Sequence, residues 1–190
     1  PSYCCQKCKR HHDDPECTIT CYRKMRSKFN LASKKLEIRQ TNSVKNGNLS
    51  SDSNPVYGIF VKQGQTIKKN EWIGEYVGRL IPPGFPPSER SHYVYDLPPS
   101  DRKYYDQNER LEPATRPELL RGVEIDSEQV GNWTRFMNHH CKPNVTPIDC
   151  QAGKIRMMAF RANRKITEGK EVFINYGSFY FSGRGWKCRC

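Results

Sequence analysis

The sequence contains no apolar run approaching the roughly 20 residues that a membrane-spanning helix requires. Its first residues lack the basic-then-apolar pattern of a secretion signal, and neither internal repeats nor heptads occur. Acidic residues are scarce: 20 Asp and Glu stand against 32 Lys and Arg. These absences argue against a membrane-spanning protein, a solenoid or a coiled coil, and they predict a soluble, intracellular protein.

The sequence nevertheless contains enough apolar material for a folded core. Hydrophobic residues make up 35% of the chain, and 10 Tyr, 8 Phe and 3 Trp argue against disorder in spite of a mean hydropathy of -0.87. At 190 residues the chain suits one domain, with room for a small appended module.

The formal net charge of +12 is the clearest indication of what the protein binds. A field of one sign favours polyanions through counterion release, and nucleosomal DNA is one such surface. Solubility alone is the alternative explanation. No compact basic helix with interleaved aromatic residues stands out, so dedicated sequence-specific DNA recognition is not predicted. A zinc-stapled nucleic-acid binder is kept as a rival interpretation of the whole chain.

Nine cysteines cluster at the two ends and beside a central polar stretch. Three sequons, at Asn48, Asn132 and Asn144, would permit a secreted, disulfide-bonded glycoprotein. However, Asn144 belongs to the central stretch and Asn132 lies just before it, so a glycan there would block any site that the stretch forms. We therefore favour the intracellular interpretation.

The first forty residues are basic and carry five cysteines. Within them, Cys5-x-x-Cys8 and Cys17-x-x-x-Cys21 are spacings that let two thiolates reach one Zn²⁺ from a single turn. These four cysteines are predicted zinc ligands, and four thiolates on one zinc is the simplest arrangement. A neighbouring histidine at 11 or 12 could replace a thiolate, although exposed loop histidines are commoner.

Runs rich in β-branched and aromatic residues, bounded by turn signals, predict a mostly β protein. The expected strands are residues 56–61, 71–81, 92–97, 154–162 and 171–176. Residues 42–54 have the composition of a linker, and four prolines between 82 and 88 exclude a regular helix there. Residues 98–121 are polar and charged, which predicts an insert with at most one short helix.

The most unusual stretch is RFMNHHCKPN at residues 135–144. It places two amides, two imidazoles and a thiol beside apolar residues, and Pro143 forces a turn directly after them. A segment this polar with buried flanks is typical of a binding site. About thirty residues later a strand-like run at 171–177 contains Tyr176, and the chain closes on the CxC pair at 188–190.

In this order, RFxNHxCxPN, a strand ending in Asn-Tyr-Gly and a CxC pair resemble the SET-domain protein-lysine methyltransferases. Tyr3-Cys4-Cys5 and the run at 35–41 resemble the pre-SET tail of the suppressor-of-variegation type, and residues 122–126 resemble the strand before the central motif. The resemblance covers roughly residues 35–190 and weakly the first 34, so it implies a family member partly truncated at both ends.

The resemblance implies a SET fold of several small sheets with a threaded C-terminal segment, plus a Cys-rich N-terminal zinc-type segment. It divides the chain into a partial pre-SET-like segment at 1–34, a SET domain at 35–177 with an insert at 98–121, and the start of a post-SET tail at 178–190. The pre-SET cluster of the family uses nine cysteines on three zincs, whereas this segment has five.

The chemistry that the resemblance implies is methyl transfer from S-adenosylmethionine to a lysine amine, an in-line displacement that depends on alignment. The amine must be bound neutral, which a water-excluding aromatic channel favours. By resemblance Tyr176 is the catalytic phenol and Tyr76 the second channel tyrosine. The other site residues carried over are Tyr57, Tyr93, Arg135, Asn138, His139 and Trp186 for the cofactor, and Phe179 and Tyr180 at the Phe/Tyr switch that limits methylation number.

Three departures from the family pattern stand out. Val56-Tyr57-Gly58 replaces Gly-Trp-Gly, His140 replaces a serine, and Asn175 replaces an aspartate. In addition, Cys141, Cys188 and Cys190 resemble three of the four ligands of the post-SET zinc, whose fourth ligand follows the CxC in the family. We therefore expect an absent or incompletely liganded metal here unless the chain continues.

The predicted function is protein-lysine N-methylation in nuclear chromatin, with the tail of histone H3 favoured as substrate and its lysine 9 favoured by the pre-SET likeness. Other histone lysines and other lysine-containing proteins stay open as substrates. The first rival is a catalytically weak or inactive SET-like module that binds chromatin or another protein.

Overall fold

The computed structural model describes residues 15–41, 44–45, 48–49, 56–82, 91–97, 122–152, 155–182, 185, 187–188 and 190. Helices α1 and α2 span Pro15–Ser33 and Ser178–Ser182, and a 3-10 helix spans Trp133–Phe136. The strands are β1 Leu36–Thr41, β2 Val44–Lys45, β3 Asn48–Leu49, β4 Val56–Val61, β5 Thr66–Ile67, β6 Trp72–Glu75, β7 Arg79–Ile81, β8 Val94–Leu97, β9 Val123–Asp126, β10 Asn138–His139, β11 Val145–Ala152, β12 Ile155–Ala162, β13 Ile166–Thr167 and β14 Phe173–Ile174.

The strands of the described residues form six small sheets. Two have three strands, in the orders β11-β12-β6 and β7-β9-β8, and the other four are the pairs β1-β4, β5-β13, β2-β3 and β10-β14. Every pairing is antiparallel except that of β10 with β14. The predicted fold class, mostly β with several small sheets, is confirmed.

Two apolar clusters hold these sheets together. The larger one joins β4, β6, β12 and the segment before β14, and its most buried members include Ile59, Ile73, Phe160 and Val172. Met137, which directly precedes β10, also belongs to this cluster and is 1% exposed. The central polar motif is therefore anchored in the core by its own apolar residue.

Helix α1 covers the second cluster. Its buried residues Cys21, Met25, Phe29 and Ala32 recur at helical spacing on one face, and Pro15 occupies a first-turn position that suits proline. This face packs on β6 and β11. This helix was not predicted, because the cysteine spacing of the segment indicated a zinc site.

The N-terminal zinc prediction meets this helix directly. Cys5 and Cys8 lie outside the described residues, as does the side chain of Cys17. The Cys21 thiol is buried in the apolar cluster beside Cys150 and Met157. Among the described side chains, the group that could hold a metal lies elsewhere, at the other end of the chain. N-terminal zinc stays a prediction.

Helix α1 is basic, contrary to the expectation that the chain has no basic helix with interleaved aromatic residues. Exposed Arg23, Lys24, Arg26 and Lys28 share it with Tyr22 and Phe29. The predicted linker at 42–54 likewise contains the β2-β3 pair, which flanks Asn46-Gly47, a dipeptide typical of a tight hairpin. The predicted insert at 98–121 and most of the proline-rich segment lie outside the described residues.

Of the predicted strands, 56–61 matches β4 and 154–162 matches β12 within a residue. The run 71–81 is divided into β6 and β7, and 171–176 contains only the two residues of β14. In the described part of the chain, neither helix is both long enough and apolar enough to cross a membrane.

Candidate active site

A cleft of about 710 Å³ opens where segments far apart in sequence meet. It is lined by Tyr57 of β4, Tyr76 after β6, residues 92–95, the run 134–140, and Ile174, Tyr176, Tyr180, Phe181, Lys187, Cys188 and Cys190 from the C-terminal part. Eight of the predicted catalytic, cofactor and channel residues line this one cleft: Tyr57, Tyr76, Tyr93, Arg135, Asn138, His139, Tyr176 and Tyr180. The Phe179 side chain and all of Trp186 lie outside the described part.

Tyr176 stands at the inner wall of the cleft. Its hydroxyl donates a hydrogen bond to the carbonyl of Met137 at 2.7 Å, and its ring lies 4.6 Å from that of Tyr180. Burial raises the pKa of the Tyr176 phenol far above its usual value. Gly177 follows with φ 84, a left-handed conformation that glycine adopts without strain. The chain can therefore turn sharply while the phenol stays in the cleft.

Tyr76 and Tyr95 form a second aromatic wall. The Tyr76 hydroxyl donates to the carbonyl of Tyr93 at 2.6 Å, and the Tyr76 and Tyr95 rings lie 5.4 Å apart. Burial raises the pKa of Tyr76 to about 12 and that of Tyr95 further. Tyr76 was named from the sequence, whereas Tyr95, which lies on β8 two positions after Tyr93, was not.

Arg135 lies against aromatic rings at the other side of the cleft. Its guanidinium sits 4.2 Å from the centroid of the Tyr93 ring, and its Nη1 donates to the carbonyl of Glu128 at 2.7 Å. Tyr57 packs edge-on against Phe136, with ring centroids 6.0 Å apart. Tyr57 is 41% exposed, so it forms the outer rim rather than the floor.

The two asparagines of the central motif are both tied to the segment that contains Glu171. Asn138 donates through Nδ2 to the Tyr57 carbonyl at 3.0 Å and to Glu171 Oε1 at 2.7 Å. Asn144, only 6% exposed, donates to the Glu171 carbonyl and accepts from the Phe173 amide, each at 2.8 Å. These bonds extend the parallel β10-β14 pairing and thread the C-terminal segment beside the motif.

Two sequon asparagines are therefore structural. Asn144 Nδ2 is bonded in the fold, and Asn132 Nδ2 donates to the Glu75 carbonyl at 2.9 Å while its Oδ1 caps the 3-10 helix. Glycan attachment at either nitrogen would break these bonds, which argues against the secreted alternative.

Helix α2 closes the cleft from the C-terminal side. The ring of Phe181 lies 4.7 Å from the His139 ring and 5.2 Å from that of Tyr180. Phe179 and Tyr180 were predicted for the channel, whereas Phe181 was not, because which of these neighbouring aromatic residues faces the cleft depends on the helix that carries them.

Four potential metal-binding side chains meet beside the cleft. The donor atoms of His139, Cys141, Cys188 and Cys190 all lie within 4.8 Å of one another. The Cys141–Cys188 and Cys188–Cys190 sulfur pairs are 3.3 and 3.2 Å apart. Four ligands around one zinc lie about 3.3–3.8 Å from each other, so this group could hold zinc. The three cysteines were predicted, and His139 is an additional nitrogen beside them.

The orientation of His139 distinguishes it from the cysteines. The backbone N–H of Tyr176 donates to its Nδ1 at 3.1 Å, so Nδ1 carries a lone pair. A neutral ring then holds its proton on Nε2, the nitrogen that lies 3.3 Å from the Cys188 sulfur. In this tautomer the ring donates to sulfur. It could ligate zinc through Nε2 only if the proton moved to Nδ1 and the Tyr176 bond broke.

Comparison with known proteins agrees with this geometry. The sequence model of the SET domain matches residues 57–177, more than half of the chain. Histone-lysine N-methyltransferase EHMT1 of Homo sapiens is 29% identical over 140 residues, which cover 70% of this chain and 9% of that protein. A histone-lysine N-methyltransferase of Eremothecium gossypii, H3 lysine-36 specific, is 32% identical over 136 residues, covering 70% and 18%. The chain spans less than a fifth of the length of these relatives.

A solved structure has the same fold. The Neurospora SET domain protein DIM-5, a histone lysine methyltransferase, matches with a TM-score of 0.53 and 18% sequence identity, over 78% of this chain and 56% of that chain.

Proposed function

This chain belongs to the SET-domain family, and we propose that it is an S-adenosylmethionine-dependent protein-lysine N-methyltransferase. The observation that carries the proposal is the meeting of Tyr176, Tyr76 and Asn138 in one cleft, although they are up to 100 positions apart in sequence. The buried catalytic phenol and the amide needed for the donor are both within it.

The cleft is suited to keep a lysine amine neutral. Burial raises the pKa of Tyr76 to about 12 because the surroundings disfavour a charged phenolate. The same desolvation disfavours an ammonium ion and lowers the pKa of an inserted lysine. The rings of Tyr76, Tyr95 and Tyr176 supply apolar walls, and their faces attract a methylammonium product. The Tyr176 phenol, held by the Met137 carbonyl, orients the amine nitrogen.

The methyl donor is held on the opposite side of the cleft. S-adenosylmethionine supplies a methyl group on a sulfonium centre when bound. Asn138 binds a polar group of the donor, and His139, whose two ring nitrogens are already bonded, contacts the donor from beside it. Tyr57, Tyr93 and Arg135 form an aromatic and cationic surface around the donor. Their mixture of amide, imidazole and flat rings fits a ligand that combines a nucleoside with an amino acid. Trp186 is the remaining cofactor candidate from the sequence.

The thiolates of Cys141, Cys188 and Cys190 would hold a structural zinc, with His139 donating a hydrogen bond to sulfur. Because Cys188 and Cys190 line the cleft as well, zinc bound there would fix the C-terminal tail against the site.

The substrate is a histone lysine in nuclear chromatin, with histone H3 favoured. Lysine 9 remains the first candidate from the pre-SET likeness of the sequence, and lysine 36 is the second, because a relative is named for that specificity. The exposed basic residues of α1 favour a nucleosome over a free tail.

Labelled methyl donor with core histones and nucleosomes tests the proposal, followed by H3 peptides in which lysine 9 or lysine 36 is replaced. Transfer to a histone that Tyr176→Phe abolishes would support it. Cofactor binding without any transfer would favour instead the inactive SET-like module. The motif Val56-Tyr57-Gly58, with its exposed tyrosine at the rim, is the feature that favours that alternative.

A further inference from the structure

Glu171 reaches from the threaded C-terminal segment to the central motif. Its backbone is fixed beside β4 by a bridge to Phe60, and the neighbouring Val172 amide donates to the Ile59 carbonyl at 2.7 Å. From this position its carboxylate accepts the hydrogen bond from Asn138 Nδ2. No role was predicted for Glu171 from the sequence.

The hydrogen bonds of Asn138 define which atom it can offer to a ligand. A side-chain amide has two N–H donors and one acceptor oxygen. Both partners of Nδ2, the Tyr57 carbonyl and the Glu171 carboxylate, are acceptors, so the amide has one orientation. Within the described residues no donor occupies its Oδ1, and Asn138 lines the cleft. The atom left for a ligand is a hydrogen-bond acceptor.

We infer that Glu171 is a positioning residue, which holds the Asn138 amide so that Oδ1 accepts a hydrogen bond from an N–H donor of the bound methyl donor. The inference rests on the proposed function and adds to it the residue that orients the amide.

The glycine at position 58 supports this role. A Cβ built on Gly58 would collide with Glu171 Oε1, the oxygen that Asn138 uses. The strand can therefore accommodate the carboxylate only because residue 58 has no side chain. Gly58 is the glycine that persists where the Gly-Trp-Gly pattern is otherwise changed.

The raised pKa of Glu171 distinguishes a positioning role from a stabilising role, because a buried carboxylate does not stabilise the fold at neutral pH. Burial raises the pKa of Glu171, so the fold disfavours the ionised form. Relative to the unfolded chain, its contribution to stability is present at acid pH and declines as the pH rises through the raised pKa. Near neutral pH, Glu171→Gln should leave thermal stability equal or higher.

The test is calorimetric binding of S-adenosylhomocysteine to the full chain. Glu171→Ala should weaken binding about tenfold or more, since a charge-assisted bond that orients the amide is removed, and Glu171→Gln should weaken it less. Glu168→Ala is the matched control, because Glu168 is exposed, precedes Glu171 by three residues and bonds only to the Gly64 amide among the described contacts. The control should bind as the wild type does.

A double-mutant cycle shows whether Glu171 acts through Asn138. The variant Glu171→Ala with Asn138→Ala should bind no more weakly than Asn138→Ala alone. In turnover, Glu171→Ala should raise KM for the methyl donor and leave kcat within about threefold. The reason is that the contact to the donor is equally strong in the ground state and in the transition state, so its loss weakens binding without slowing the chemical step.

Wild-type affinity for Glu171→Ala, or full additivity in the cycle, would overturn the inference while the proposed function stands. A wild-type protein that does not bind S-adenosylhomocysteine at all would overturn both.

Discussion

At the scale of single residues, Tyr176 combines a partly buried ring, packed against the core, with a hydroxyl that donates to the Met137 carbonyl. Tyr176→Phe keeps the ring contacts with His139 and Tyr180 and removes only the oxygen. We expect methyl transfer to core histones to fall at least about a hundredfold, since orientation of the amine is lost. S-adenosylhomocysteine affinity, measured by calorimetry, should stay within about twofold. Near-normal turnover would remove Tyr176 from the chemistry.

The pH dependence of turnover follows from the buried phenols. Burial raises the pKa of Tyr76 to about 12 and that of Tyr176 as well, so both remain protonated throughout the working range. A peptide lysine, with an ordinary pKa near about 10.4, becomes more neutral as the pH rises. We therefore expect kcat/KM to rise from about pH 7 to about pH 10 without a descending limb from phenol ionisation.

Tyr76→Phe is the control for this profile. This variant should have a lower kcat/KM that still rises with pH, because the rise reflects deprotonation of the substrate amine. A descending limb in the wild type that Tyr76→Phe removes would mean that a phenolate forms within this range.

Sequence reasoning could name Tyr176, Asn138 and Tyr76 because their neighbours along the chain form motifs of fixed order. It could not find Glu171 or Tyr95 in the same way. Glu171 matters through Gly58 and Asn138, which are 113 and 33 positions away, and no local pattern contains that information.

At the scale of secondary-structure elements, the strands of the central region were predictable because β-branched and aromatic residues mark them. Helix α1 was also visible in principle, since Cys21, Met25, Phe29 and Ala32 have helical spacing. The segment was instead interpreted as a zinc site from the spacing of its cysteines, so its helical periodicity was not used. Strand β11 was missed for another reason: it includes Pro147, which weakens a strand assignment and is tolerated because β11 is an edge strand with β12 on one side only.

Strand β4 gives a prediction of its own. In Gly58→Ala the new methyl group would meet the end of the flexible Glu171 side chain, so the protein should fold and Glu171 should move away. S-adenosylhomocysteine affinity should fall by about as much as in Glu171→Ala. Combined with Glu171→Ala, the substitution should add little. If the double variant bound S-adenosylhomocysteine much more weakly than Glu171→Ala alone, the side chain at position 58 would be blocking the ligand directly.

The C-terminal tail gives a prediction about zinc. Cys188→Ser removes a sulfur that lies 3.3 Å from Cys141 and 3.2 Å from Cys190, so zinc content measured by elemental analysis should fall well below one per chain. His139→Gln should retain zinc, because Nδ1 accepts from Tyr176 and the ring is a donor to sulfur.

Cobalt substitution provides the second readout for that pair. The ligand-field spectrum of the His139→Gln variant should match that of the wild type, since the sulfur ligands are unchanged. Loss of metal or a changed spectrum in this variant would show that the imidazole is a ligand.

At the scale of the whole molecule, the cleft exists only because β4, β8, the central motif and α2 converge, and the parallel pairing of β10 with β14 brings the last two together. Composition and periodicity do not determine such a convergence, and family resemblance was the only part of the sequence evidence that anticipated it. The net charge, in contrast, was available from the sequence at once, but its distribution was not.

The surface that carries part of this charge is the outer face of α1. Arg23, Lys24 and Lys28 are exposed there, and the described ion pairs of the molecule involve other residues. Cations on a helix can neutralise DNA phosphates and release counterions, so nucleosome affinity should fall steeply with salt. Changing all three residues to Gln keeps a good helix former at each position and removes three charges.

We expect this triple variant to weaken nucleosome binding and to reduce the slope of log affinity against log salt by about one for each phosphate that the helix no longer neutralises. Electrophoretic mobility shifts across a salt series would measure both. Lys68, Lys69 and Lys165 are also exposed and do not belong to α1, so their triple change to Gln removes the same net charge and is the matched control. If the two triple variants weaken binding equally, the attraction comes from the diffuse field of the whole molecule and α1 has no special part in it; if only the α1 variant does, the helix is the surface that orients the cleft on chromatin.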